Sequence, residues 1–242
     1  MVPARLKSSR LREKALIDIE GLPIVVHTCK RAQLSKVLDD VFLVTDDAAI
    51  RDVGLAHDIN CIMTGEHISS SDRLAEACRH LECEVVVNIQ GDEPLVNPVH
   101  IDEIVRPFLD NQSLSLAVGI TPFVKTHSTS DIKVVKDLQD YILYMSRNDI
   151  PNFYGHSPKT TMYKMCSIVP FSKKLLLEFS SWEPTPLEVA EDNHFLRFLE
   201  HGIRIKTVMI ANAKISVDTA DDLEEVRAFM IEDEIKHLYM AT

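Results

Sequence analysis

Short, nearly unbroken apolar runs recur along the chain, separated by longer stretches in which apolar residues return every three or four positions. The runs at 41–45 (VFLVT) and 84–89 (EVVVNI) are short and rich in β-branched residues, which predicts strands buried on both faces. The stretches 23–36, 48–57 and 71–81 predict helices between and before them. Pro23 suits the first helical position, where a missing N–H has no partner to lose, and Ser71 with Glu76 suits an N-terminal turn. Strands alternating with helices in this way build a mostly parallel sheet covered on both faces.

After about Thr121 the pattern changes. The runs 132–136 and 141–145 flank Asp137-Leu138-Gln139-Asp140 and predict a hairpin. A strand at 165–169, a helix at 173–179 and a long helix at 187–201 follow, the last stopped at Gly202, a residue suited to a left-handed cap. A strand at 204–210 precedes a final helix at 219–232, which opens at Thr219 with acids in its first turn. The expected architecture is a single α/β domain over 1–242, a doubly wound and mostly parallel sheet with a mixed β-rich insertion at about 122–185.

Charge and composition narrow the function classes. Twenty-six basic against 37 acidic residues leave a net charge of −11, which argues against nucleic acid or an anionic membrane as partner. No apolar run approaches the length of a membrane span, and the N-terminus is too basic and polar for a signal segment. Five cysteines, odd in number and without a C-x-x-C pair, predict free thiols in a reducing cytoplasm and not a disulfide framework or structural zinc. Against the global acidity, the first fourteen residues hold Arg5, Lys7, Arg10, Arg12 and Lys14 with Glu13 as their one acid. That cluster reads either as a solvated arm or, with the loop N–H groups around Ser8 and Ser9, as a grip for a triphosphate.

Two further segments lie where chemistry is useful. Gln90-Gly91-Asp92-Glu93-Pro94 follows the 84–89 strand directly, and ligands of open α/β sheets bind outside the carboxyl ends of strands. Asp92 is there either a metal ligand or an ordinary turn residue. In Ser216-Val217-Asp218-Thr219, Asp218 reads as a helix N-terminal acid or as a second carboxylate. Two carboxylates from separate strand ends suit one Mg²⁺, which takes oxygen ligands and keeps waters and phosphate oxygens.

The strings Pro3-Ala4-Arg5-Leu6-Lys7-Ser8-Ser9-Arg10-Leu11 with Lys14, Val44-Thr45-Asp46-Asp47, Asp72-Arg73-Leu74-Ala75-Glu76, Val87-Asn88-Ile89-Gln90-Gly91-Asp92-Glu93-Pro94, Val134-Val135-Lys136, Leu143-Tyr144-Met145-Ser146-Arg147, 182–188 and Val217-Asp218-Thr219 occur in one order. Through them the chain resembles the CMP-Kdo synthetases (3-deoxy-manno-octulosonate cytidylyltransferases) over essentially its full length. The resemblance implies a Rossmann-like nucleotidyltransferase fold, CTP and a 2-keto-3-deoxy sugar acid as substrates, Mg²⁺ as cofactor, release of pyrophosphate, and a homodimer formed through the insertion. It further implies that Arg5, Arg10 and Lys14 hold the phosphates, that Ala4, Ser69, Ser70 and Arg73 lie near the cytidine, and that Gln90 lies at the sugar. Asp92 and Asp218 are then the metal ligands, and Arg147 meets the sugar carboxylate. Alignment and charge neutralisation at the α-phosphate are what such a displacement needs.

Four departures accompany the resemblance. The chain enters at Met1-Val2-Pro3, where the family has several more apolar residues in its first central strand. The family's Pro-Gly-Lys is Arg12-Glu13-Lys14, and its Ser-Gly-Thr falls at Ser69-Ser70-Ser71. Its His-Leu-Gly-Ile-Tyr is Met165-Cys166-Ser167-Ile168-Val169, and its Glu-Gln-Leu-Arg is His194-Phe195-Leu196-Arg197. The last two changes fall where the family reads the sugar, so Met165, Val169, His194 and Phe195 predict retained nucleotide chemistry with an altered sugar preference. Glu191 and His194, three apart on the predicted helix, are expected to share a face. A nucleotidyltransferase for a sugar phosphate and a catalytically silent nucleotide-binding relative are the alternative readings. Trp182 is expected to pack, and the acidic stretch 231–238 to be a solvated end.

Overall fold

Alternation of side chains along the strands divides the interior into two cores. On one face Val2, Leu43, Val87, Ile89 and Ile168 meet the helices that carry Val25, Val26, Ile101 and Ile104. On the other, Val44, Val86, Val118, Val169 and Phe171 meet Leu74, Leu176, Phe179 and Phe198. Neighbouring residues facing opposite ways is the period of two that a sheet buried on both faces requires. The computed structural model describes residues 1–7, 11–124, 127–152 and 161–240.

The first half contains β1 (Val2–Ala4), a one-turn 3₁₀ helix (Lys14–Leu16), a small hairpin of β2 (Asp18–Ile19) and β3 (Leu22–Pro23), α1 (Ile24–Ala32), β4 (Phe42–Thr45), α2 (Ala48–Ala56), β5 (Asn60–Met63), α3 (Ser70–Cys78), β6 (Val85–Ile89) and α4 (Pro98–Asp110). The second half contains β7 (Ala117–Pro122), β8 (Lys133–Lys136), β9 (Ile142–Ser146), β10 (Tyr163–Met165), β11 (Ile168–Ser172), α5 (Lys173–Phe179), α6 (Pro186–Glu191), α7 (Phe195–Glu200), β12 (Lys206–Met209), α8 (Ala220–Ile231) and α9 (His237–Met240).

Strands β5, β4 and β1 run parallel. The Ile89 amide donates to Met1 O at 3.0 Å, which brings β6 beside β1. β11 pairs antiparallel with β6 and meets β7 at a Leu116–Phe171 bridge, and β12 runs parallel to β7. The result is the expected mostly parallel sheet with one reversed strand. From the far end of β7, β10, β8 and β9 continue as an antiparallel extension. The stretch 122–185 is thus divided, its β8–β10 part projecting while β11 and α5 belong to the main layers.

Three expectations are corrected. The strand expected at 165–169 is two strands, because Cys166 N bonds Gly119 O at 2.8 Å while the Gln90 amide takes Ser167 O at 3.2 Å, and the chain changes partners between them. The helix expected at 187–201 breaks into α6 and α7, since Asp192 adopts a left-handed φ of 47° and the Asn193 Oδ1 caps the Phe195 amide at 3.2 Å. Glu191 and His194 therefore do not share a helical face. The acidic stretch 231–238 is only in part the expected solvated end, for Ile231, Glu232, Glu234, His237 and Leu238 are exposed while Lys236 is buried and Asp233 is docked. Asp233 pairs with Arg31, whose side chain is 1% exposed, and Tyr239 is buried against His27. The His27 Nε2 meets the Ile19 carbonyl at 2.7 Å, so that nitrogen carries the proton and Nδ1 accepts from the Tyr239 hydroxyl, also at 2.7 Å.

Removing one partner of a buried pair strands the other charge. Asp233→Ala is expected to cost about 3 kcal/mol, a fall of about 6–12 °C in Tm for a domain of this size, read by thermal denaturation. A change under about 2 °C would mean that Arg31 is compensated elsewhere.

Candidate active site

The Lys14 ammonium donates to Asp92 Oδ2 at 2.6 Å, to the Val217 carbonyl at 2.7 Å and to Asp218 Oδ1 at 3.3 Å. Three residues far apart in the chain, each singled out in the sequence, converge on one point. Lys14 opens its 3₁₀ turn after Glu13, which holds a left-handed φ of 51°. An L side chain at that φ bears a cost that the glycine expected there from the resemblance would not. At Gly91 the requirement for glycine is steric, because a Cβ would stand 2.7 Å from Pro3 O. This close approach seats the Asp92 loop against the end of β1. Asp218 is fixed by the start of α8, where the Asp222 carboxylate accepts from the Asp218 amide at 3.1 Å and the Thr219 amide at 2.8 Å, and the Val217 amide bonds Asp92 O at 3.0 Å.

Glu93 differs in character from its neighbour. Burial, with the Asp92 charge beside it, pushes its carboxyl up to about 8, against a hydrogen bond from Ser167. Among the described residues no group of three or more His, Cys, Asp or Glu side chains is arranged to hold a metal ion. The Asp92–Asp218 pair nevertheless directs carboxylate oxygens at a single cation, the Lys14 ammonium. An all-oxygen donor set of this kind fits a hard divalent ion completed by water and phosphate.

One cavity adjoins the cluster, and a second adjoins the first. The first, of about 710 Å³, is bordered by Gln90, Asp92, Arg147, Met165, Val169, His194, Phe195 and Asp218. The second, of about 670 Å³, is bordered by Ala4, Arg5, Ser69, Ser70, Arg73 and Gln90, with Trp182 and Arg197 opposite. The residues expected near the sugar and those expected near the nucleotide thus separate into adjoining spaces, with Gln90, Asn193 and His194 on the rim of both. Arg10 lies outside the described residues, as do Ser8 and Ser9.

The first turn of α3 supplies the seam. Ser69 caps the helix, accepting from the Asp72 amide at 3.1 Å. Ser70 Oγ accepts from Gln90 Nε2 at 3.1 Å, and Ser71 Oγ lies 3.0 Å from His194 Nε2. Arg73 sits beneath, nearly buried, paired to Asp46 at 3.1 Å and donating to Thr64 Oγ1 at 2.8 Å. It clamps the ends of β4 and β5 under the cavity floor.

Of the residues expected at the sugar, Met165 is half-buried, whereas Val169 and Phe195 are 1% and 4% exposed and form an apolar wall. Arg147 borders the first cavity, yet its guanidinium is already engaged. Nε donates to Glu191 O at 2.9 Å, Nη1 to Thr129 O at 2.9 Å and Nη2 to Asp192 O at 2.8 Å. Sequence reasoning missed the Ser71–His194 contact, Asn193 and the Arg197–Glu188 pair at 2.5 Å that holds α6 to α7. The Thr185-x-x-Glu188 capping box was the available signal for the last.

A family model described as cytidylyltransferase matches residues 1–234. The chain belongs to the cytidylyltransferase family. A 3-deoxy-manno-octulosonate cytidylyltransferase of Chloroherpeton thalassium is 38% identical over 236 residues, 95% of this chain and 96% of that one. The enzyme of the same description from Pelodictyon phaeoclathratiforme is 39% identical over 233 residues, 94% of each chain. Among solved structures, a CMP:2-keto-3-deoxy-manno-octonic acid synthetase complexed with CTP superposes with a TM-score of 0.90 at 32% identity, covering 96% of this chain and 97% of that one. A cytidylyltransferase from Leptospira borgpetersenii, at 17% identity and a TM-score of 0.65 over 96% of this chain and 85% of its own, shares the fold. In this cytidylyltransferase the family's nucleotidyltransferase fold therefore carries both the Lys14 cluster and the paired cavities.

His194 yields a prediction that needs no substrate. Burial holds its imidazole down to about 4, while an unfolded chain returns it to about 6.5. Between those values the unfolded state binds more protons, so stability falls as pH falls from about 6.5 to about 4. His194→Phe is expected to flatten that part of the acid limb in urea titrations, and an unchanged slope would contradict the assignment.

Proposed function

We propose that the chain transfers CMP from CTP to the anomeric hydroxyl of a 2-keto-3-deoxy sugar acid, Kdo or a Kdo-like ulosonic acid, and releases pyrophosphate. The observation that carries this reading is the convergence of Lys14, Asp92 and Asp218 beside Gln90, where the two cavities adjoin. The similarity to relatives described as 3-deoxy-manno-octulosonate cytidylyltransferases supports the same substrate class.

In this reading Ala4, Ser69 and Ser70 line the cytidine side, with Arg73 beneath them holding the two strand ends in place. Arg5, exposed at the mouth of the second cavity, reaches the triphosphate together with Lys14 and Arg10. Lys14 exchanges its carboxylate partners for phosphate oxygens, a charge-assisted contact that favours bound CTP. Asp92 and Asp218, released from the ammonium, would hold Mg²⁺, which would supply charge neutralisation at the phosphates and a lowered pKa for the attacking hydroxyl. Gln90 and Arg147 orient the sugar acid so that its hydroxyl approaches the α-phosphorus in line with the departing pyrophosphate.

A second reading concerns the sugar tail. The wall formed by Met165, Val169 and Phe195 offers a sugar hydroxyl no side-chain hydrogen bond, which favours a deoxy, amino-derived or acylated relative over Kdo. Exposed Leu138 and Leu143 on the projecting sheet support a homodimer formed there. Among the described residues no helix is long and apolar enough to cross a membrane, and the five free cysteines are in keeping with a cytoplasmic enzyme.

Pyrophosphate release with CTP, Mg²⁺ and a panel of ulosonic acids tests the reaction. Release is expected with Kdo or a tail-modified relative, and the preferred acid decides between the two readings. Silence with every acid would overturn the proposal. In the same assay Asp92→Asn and Asp218→Asn are each expected to lower kcat by on the order of 10² or more. Lys14→Ala is expected to raise KM for CTP by about tenfold or more. Lys7→Ala, whose ammonium bonds exposed Glu66 among the described residues, is expected to change little, and equal effects at Lys7 and Lys14 would favour a merely solvated arm.

A further inference from the structure

A lysine with no exposed surface stands behind the first cavity. Lys133, on β8, is 0% exposed, and its ammonium gives hydrogen bonds to three backbone carbonyls, those of Ser128, Asp131 and Arg147. The nearest counter-charge, Asp149 Oδ1, lies 3.9 Å away. Burying a lone ammonium is expensive, and a well-packed apolar side chain usually serves stability as well or better. The three bonds must therefore do something that packing would not.

What they join is informative. Ser128 and Asp131 bracket Thr129, whose carbonyl accepts from Arg147 Nη1 at 2.9 Å. Lys133 thus holds both the carbonyl end of Arg147 and the loop on which its guanidinium rests. The amide end of the same residue is held by another charged group, for Arg147 N donates to Glu191 Oε2 at 2.9 Å. The Glu191 carboxylate also accepts from Ser146 Oγ at 2.8 Å and from Tyr144 OH at 3.3 Å. One buried cation and one tethered anion fix the two ends of a single residue. The guanidinium itself is held chiefly by neutral carbonyls, with only Asp192 Oδ2 at 3.3 Å on a side chain 96% exposed. Its position is set by these bonds, and because three of the four acceptors are neutral carbonyls they leave much of its positive charge uncompensated at the border of the first cavity.

We infer that Lys133 and Glu191 are positioning residues that present the Arg147 guanidinium to the carboxylate of the sugar acid, an inference that rests on the function proposed above. Neither residue touches the cavity through its own charge. Both act through Arg147, and a guanidinium that must meet a planar carboxylate needs this precision.

The test compares an ulosonic acid with its 1-carboxamide, which keeps the shape and loses the charge. The unaltered protein is expected to prefer the acid by about tenfold or more in kcat/KM. Lys133→Met is expected to reduce that preference to about threefold or less and to raise KM for the acid, with KM for CTP within about twofold of the unaltered value. Glu191→Gln, which removes one charge and little volume, is expected to act in the same direction, and it carries the test alone if Lys133→Met does not fold. A general structural role would instead weaken acid and amide equally and disturb CTP as well. An acid preference unmoved in the folded variants, or one absent from the unaltered protein, would overturn this inference while leaving cytidylyl transfer standing. No turnover of any ulosonic acid by the unaltered protein would overturn the functional proposal itself.

Discussion

One ammonium organises the catalytic face. Lys14 reaches Asp92 and Asp218 across separations of 78 and 204 residues, so the N-terminal loop, the end of β6 and the start of α8 are tied at one point. With side chains 16%, 27% and 22% exposed, the three charges are screened less than a surface pair. Removing the lysine leaves two carboxylates facing each other, and removing a carboxylate leaves the lysine half-compensated. The carboxylate oxygens of Asp92 and Asp218 thus converge on one position, the one that the proposed function gives to a divalent cation.

Around that point the fold separates two tasks. The second cavity lies against the first turn of α3, the positive end of a helix dipole, and the first lies between the main sheet and the antiparallel extension. Ser70 and Ser71 contact Gln90 and His194, two of the residues that border both spaces. The partition between the two cavities is thus made of a few side chains hydrogen-bonded to one helical turn, not of a wall of backbone.

Much of this was legible in the chain itself, for identifiable reasons. The strands at 41–45 and 84–89 are buried on both faces and read as unbroken apolar runs, and Asp92 follows one of them immediately, so its place at a strand end needed no tertiary information. Asp218 was legible less directly, as the residue before a helix expected to open at Thr219 with acids in its first turn. The break between α6 and α7 was not, because 187–201 keeps a helical rhythm while Asp192 turns left-handed and Asn193 caps the new start. The split of β10 from β11 was hidden because only Cys166 and Ser167 separate two apolar runs. Lys133 was missed as a contributor to the site, and Glu191 was read only as a helical neighbour of His194, because their effect comes through Arg147 and the loop at 128–131. β8 carries two lysines, Lys133 and Lys136, and nothing in the run 132–136 marks which of them is buried.

The most direct test of the account is a crystal structure of the protein with CTP and a divalent cation. The account predicts one metal ion within about 2.0–2.6 Å of oxygens from both Asp92 and Asp218, cytidine against Ser69 and Ser70, and the Lys14 ammonium moved onto phosphate oxygens. A structure in which Lys14 still bridges the two carboxylates while the nucleotide and metal are held elsewhere would contradict it.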